Sequence, residues 1–154
     1  MRKFAVATAV AVAALATPAA AQDGGEVRVE ARGGIVWAYD ESEATAGAAI
    51  GYDFDLGETL FVGVEGSLDK VLVDGADAVF GVSSRLGTTT SDAGKLYATL
   101  GYTFENDSFY DSIVLGAGYE HKLNDTIYVG AAYRHFFSDF GDLDAATVSV
   151  GAAF

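Results

Sequence analysis

The chain has 154 residues, with nine Lys and Arg against 22 Asp and Glu, a formal charge of −13 and no cysteine. That acidity excludes a nucleic-acid partner, whose phosphates need clustered bases, and the missing thiols exclude disulfide staples. Mean hydropathy is nevertheless positive, and 19 glycines, eight tyrosines and ten phenylalanines beside a single proline weight the composition toward β structure.

The first predicted element is Arg2-Lys3, an apolar stretch from Phe4 to Ala16, and Pro18-Ala19-Ala20-Ala21 before Gln22. This is the layout of a secretory signal with an A-x-A cleavage site, expected to occupy residues 1–21. Its apolar run falls short of the roughly 20 residues a spanning helix needs, and no other segment comes closer. Residues 22–154 are expected to form one domain.

Period-two alternation then recurs eight times. A first strand, at about 26–39, sets Glu26, Arg28, Glu30 and Arg32 against Val27, Val29, Ala31, Ile35, Trp37 and Tyr39. The second, about 45–54, sets Gly47, Gly51 and Asp53 against Ala48, Ile50, Tyr52 and Phe54. The third, about 60–68, sets Phe61, Gly63, Glu65 and Ser67 against Leu60, Val62, Val64 and Leu68. The fourth, about 78–86, sets Gly81, Ser83 and Arg85 against Phe80, Val82 and Leu86. Strands five to seven, at about 95–104, 112–122 and 126–136, alternate in the same way. The eighth runs from Ala146 to Phe154. Segments of about ten residues with this period match a tilted strand crossing a bilayer.

A weak repeat sets the phase. Gly51-Tyr52-Asp53-Phe54, Gly101-Tyr102-Thr103-Phe104 and Gly151-Ala152-Ala153-Phe154 each place glycine on the polar face and aromatics on the apolar one. Glycines beside long Arg and Glu suit a narrow lumen that side chains must just fill; on a solvated exterior they would weaken strands for no packing gain. The charged face is therefore expected to point inward and the apolar face outward. A serine in place of a lumen glycine is expected to be mild. Tight turns are expected at 55–58 and 124–125, a longer connection at 87–94, and acidic loops at 40–43, 70–77, 105–111 and 138–144.

Together these features resemble the small eight-stranded outer-membrane barrels of Gram-negative bacteria, the OmpA-like transmembrane domain and opacity-protein porin family. The segment from Lys95 to Phe104 looks like that family's central strand, and Gly116 to Gly141 like its penultimate hairpin. The resemblance implies an all-β, eight-stranded antiparallel up-and-down transmembrane β-barrel with both termini periplasmic. It also implies an assembly signal, Val148, Val150 and Phe154, read by the barrel-assembly machinery, and contact with outer-membrane lipid and lipopolysaccharide or glycolipid. The loops are shorter than those of opacity proteins, and no peptidoglycan-binding segment is expected beyond Phe154.

Glu26, Arg28, Glu30, Arg32, Asp53, Glu65, Arg85, Glu120, Lys122 and Arg134 are expected to form a lumen charge network, with Glu65 paired centrally to Arg85 or Arg134. A charge inside a low-dielectric barrel is costly unless paired. Asp139, Asp142 and Asp144 are the best candidate cation-binding loop, since hard carboxylate oxygens suit Ca²⁺ or Mg²⁺. No catalytic residue and no cofactor is expected. The lipid A deacylase pattern wants His and Ser two residues apart, whereas His135 and Ser138 are three apart and fall on opposite strand faces. A structural role in membrane integrity, with at most narrow ion or small-solute passage, is the expected function. The alternatives are a secreted lipocalin-like carrier, whose G-x-W motif Gly34-Ile35-Val36-Trp37 fails to match, and a lipid A-modifying barrel.

Overall fold

A computed structural model describes residues 24–38, 41–104, 111–138 and 141–154. The expected signal segment, and with it residues 39–40, 105–110 and 139–140, lies outside those described. All eight strands form: β1 (Gly25–Ala38), β2 (Glu41–Asp55), β3 (Leu60–Val71), β4 (Ala78–Ser91), β5 (Gly94–Phe104), β6 (Ser112–Lys122), β7 (Ile127–Phe137) and β8 (Leu143–Ala153). Each pairs antiparallel with its chain neighbour, and β1 pairs with β8 to close the barrel. Closure leaves no open sheet edge, the condition a strand protein must meet in hydrocarbon.

Exposure settles which face is inside. Ile50, Leu100 and Val148 are 60%, 57% and 66% exposed, whereas Arg28 and Arg85 are 1% exposed and Asp53 is 0% exposed. A water-soluble barrel would invert that order, so the lipocalin-like alternative fails. So wide an apolar exterior exceeds what a soluble monomer shows and matches a lipid-facing belt. Aromatics mark both ends of that belt. Trp37, Phe80, Tyr102, Phe104, Tyr133 and Phe137 lie toward the loop end, where Phe80 stacks on Phe104 at 5.9 Å. Tyr52, Phe54 and Tyr119 lie toward the turn end.

The turns are short for identifiable reasons. Gly57, at φ 98°, supplies the left-handed residue between β2 and β3. Asn124 Oδ1 accepts from the Thr126 and Ile127 amides at 2.9 and 2.7 Å, an Asx turn that fixes the β6–β7 connection. The connection expected at 87–94 is not a loop. β4 continues through Thr88-Thr89-Thr90-Ser91, the three threonines being β-branched and so favouring a strand, and turns at 92–93 after a bulge between Thr89 and Ser91. Likewise Glu41 to Glu43 belong to β2, and Lys70 and Val71 to β3, rather than to loops.

Candidate functional site

The inward face gathers six cations, Arg28, Arg32, Arg85, Lys95, Lys122 and Arg134, and six carboxylates, Glu26, Glu30, Asp53, Glu65, Asp69 and Glu120, each within 4.0 Å of an opposite charge. The interior is thus electrically balanced, as the desolvation cost of buried ions demands. All ten residues expected in the network take part. Lys95 and Asp69 are additional members. Both continue a period already evident, one two residues before Tyr97 and the other two residues after Ser67.

The pairing follows a geometric rule. Arg28 of β1 stands opposite Gly51 of β2, which stands opposite Glu65 of β3. A Cβ on Gly51 would meet Arg28 Nη2 at 2.7 Å. Lacking one, the guanidinium crosses the glycine and donates to Glu65 Oε2 at 3.0 Å. The same three-strand bridge links Arg32 over Gly47 to Asp69, bidentate at 2.8 and 2.5 Å. It links Arg85 over Gly63 to Asp53 at 3.7 Å. It also links Tyr128 over Gly151 to Glu30, whose Oε2 accepts the phenol hydrogen at 3.0 Å. Each of these glycines is the floor beneath a side chain, so the expectation of mild serine substitution does not hold. A Cβ on Gly63 would run into Asp53 Oδ1, and one on Gly151 into the Tyr128 ring.

The expected central pair of Glu65 with Arg85 is present only as a long contact, and the bridges give Glu65 closer partners. Glu65 is held by Arg28 at 3.0 Å and Arg32 at 3.1 Å. Arg85 lies 3.9 Å from Glu65 and makes its short contact with Glu120, at 2.8 Å. Arg134 is 3.7 Å from Asp69. For Glu65 the reason is register: Arg28 reaches it directly over Gly51, while Arg85 extends the other way, past Thr99 of β5, to Glu120 of β6. Arg85 further lies 3.9 Å above the Tyr97 ring and 5.5 Å from that of Phe61, a cation–π setting. At the turn end, Lys95 and Lys122 both bond Glu26, lacing β5 and β6 to β1 across the lumen.

Two cavities flank this core. One of about 40 Å³ lies on the loop side beside Arg32, Glu65, Tyr97 and Arg134. The other, about 250 Å³, opens at the turn end beside Glu26, Lys95 and Lys122. Arg28, Asp53, Arg85 and Glu120 border neither and stand between them.

Val148 and Val150 face outward, and Phe154 is tied to β1 by reciprocal backbone bonds with Val27 at 2.9 Å. Of the candidate cation loop, Asp139 lies outside the described residues. Asp144 lies 2.7 Å from His135 Nδ1, and Asp142 lies 3.7 Å from Nε2 of the same ring. Among the described residues no three His, Cys, Asp or Glu side chains converge to hold a metal.

A profile of the outer membrane protein beta-barrel domain matches residues 6–154. The chain belongs to that family. No curated protein matches this outer-membrane barrel in sequence. Among solved structures it is similar to Ail, the attachment invasion locus protein of Yersinia pestis, at 14% identity and TM-score 0.63, covering 86% of this chain and 100% of that one. Ail has also been solved in complex with the heparin analogue sucrose octasulfate. The N-terminal β-barrel domain of Pseudomonas aeruginosa OprF is similar at 16% identity and TM-score 0.64, covering 84% and 97%. The outer membrane enzyme PagL is similar at 12% identity and TM-score 0.52, covering 80% and 97%. At such identities the likeness is one of fold.

Proposed function

We propose that this protein is a closed structural barrel of the Gram-negative outer membrane, contributing to envelope integrity and surface charge rather than to catalysis or solute flux. The observation that carries this reading is the buried core of Arg28, Asp53, Arg85 and Glu120 lying between the two cavities. Eight strands leave little cross-section, and here it is filled by paired charges and rings. In this reading residues 1–21 direct export and Val148, Val150 and Phe154 present the chain to the barrel-assembly machinery. Both termini face the periplasm and the acidic loops face outward, where divalent cations bridge them to lipopolysaccharide or glycolipid. An acidic rim of Glu41, Glu43, Asp74 and Asp77 is unsuited to a polyanion such as the one Ail binds.

Planar-bilayer recording on refolded protein tests the proposal. Wild-type protein is expected to give no discrete current steps, while Arg85→Met, which removes one arm of the plug, gives measurable leak. Regular single-channel steps from the wild type would overturn the closed reading in favour of a narrow ion path.

A further inference from the structure

Among the described strand residues, one carboxylate interrupts the apolar pattern of the outward face. Asp144, the second residue of β8, faces outward between Trp37 of β1 on one side and His135 of β7 on the other. Its Oδ1 accepts from the Tyr133 hydroxyl at 2.5 Å and lies 2.7 Å from His135 Nδ1. Among the described residues none bonds Oδ2, although the side chain is only 27% exposed. The Trp37 and Tyr133 rings stand 6.2 Å apart at 45° beside it.

Tying the β7–β8 hairpin together would need Oδ1 alone. A second carboxylate oxygen held at the edge of hydrocarbon calls for a cation. Flanking Trp and Tyr faces favour an organic one, because a ring quadrupole attracts ammonium groups. Trp and Tyr also set the depth, that of the lipid headgroups. A metal ion would want several oxygen ligands, and no such group converges here among the described residues.

We propose that Asp144, flanked by Trp37 and Tyr133, binds the ammonium group of an amine-bearing headgroup of the outer-leaflet lipid at the loop end, an amine chemistry for which phosphatidylethanolamine serves as the probe. The ammonium sits on Oδ2 and against the two rings, while the phosphate of the same headgroup stays in water. The inference rests on lipid contact with the outward face, which family membership supplies.

Trp37 is the only tryptophan in the chain, so its fluorescence reports on this site directly. The full chain is refolded into vesicles containing bromine-labelled phosphatidylethanolamine or bromine-labelled phosphatidylglycerol, and quenching of Trp37 is compared. Quenching by both lipids reports membrane contact; its absence with both would remove the lipid placement itself. The site predicts that phosphatidylethanolamine associates roughly two- to five-fold more strongly at Trp37 than phosphatidylglycerol. Asp144→Asn should abolish the preference, and Asp144→Ser serves equally if the first variant does not fold. Asp74→Asn removes the same charge from the β3–β4 loop and should keep the preference. Equal quenching in the wild type, a preference that survives at Asp144, or one lost equally at Asp74 would overturn the proposal.

Discussion

The two halves of the barrel fill the same narrow lumen by different means. β1 to β4 supply eight of the twelve interior charges, and three of the four glycine bridges lie wholly within them. β5 to β8 instead bury Val114, Tyr128 and Ala145 and half-bury Tyr97, with Tyr97 laid over Gly118 and Tyr128 over Gly151. A guanidinium crossing a glycine must meet a carboxylate at one position, so the first half is tied by directional bonds. A ring crossing a glycine needs only volume. Both halves depend on the missing Cβ, which explains why glycine recurs on the wet side of a strand.

The comparison can be broken most sharply at Gly63. Gly63→Ala should push Asp53 off Arg85 and cost about 3–5 kcal/mol, the scale for uncoupling a buried pair; chemical unfolding in vesicles, followed by Trp37 emission, would read it. Leu100→Arg tests the outer face, since Leu100 lies midway along β5 and points outward; a charge near mid-membrane should cost about 2–4 kcal/mol in the same assay. Tyr128→Phe keeps the ring over Gly151 and removes the hydroxyl bonded to Glu30. The expected loss is about 1.5–3 kcal/mol, and a loss near zero would make the second half purely a matter of volume. Gly66 lies on β3 only three residues from Gly63, but its added Cβ would meet nothing within 4 Å. Gly66→Ala should therefore be neutral or stabilise by about 0.4–1 kcal/mol, and equal damage at both glycines would refute the bridging account.

Much of this was legible before any coordinates. Alternation is a local property, so Ile50 against Gly51 or Leu100 against Gly101 assigns faces without knowing a single partner. Glycines on the charged face pointed to a crowded interior for the same reason. The pairings were not legible. Which carboxylate Arg28 meets depends on the register of β1 against β2 and of β2 against β3 together, and no single strand encodes that. Asp69 lies one residue past the expected end of the third strand, where alternation fades into polar residues, and Lys95, the first residue of the expected fifth strand, was left off its inward face. The Tyr133–Asp144–His135 cluster was hidden differently: Asp144 read as part of an acidic loop, and only the pairing of β7 with β8 brings it beside the ring of His135.

Each glycine bridge inspects three strands at once. Were β3 to slip two residues along β2, preserving which side chains face inward, Phe61 or Glu65 would replace Gly63 beneath Arg85 and Asp53. Such a slip keeps every backbone ladder satisfiable and every oily residue facing lipid, so neither hydrogen bonding nor hydrophobicity would reject it. The collision would. Proofreading of strand alignment during closure is therefore built into the smallest residues of the chain.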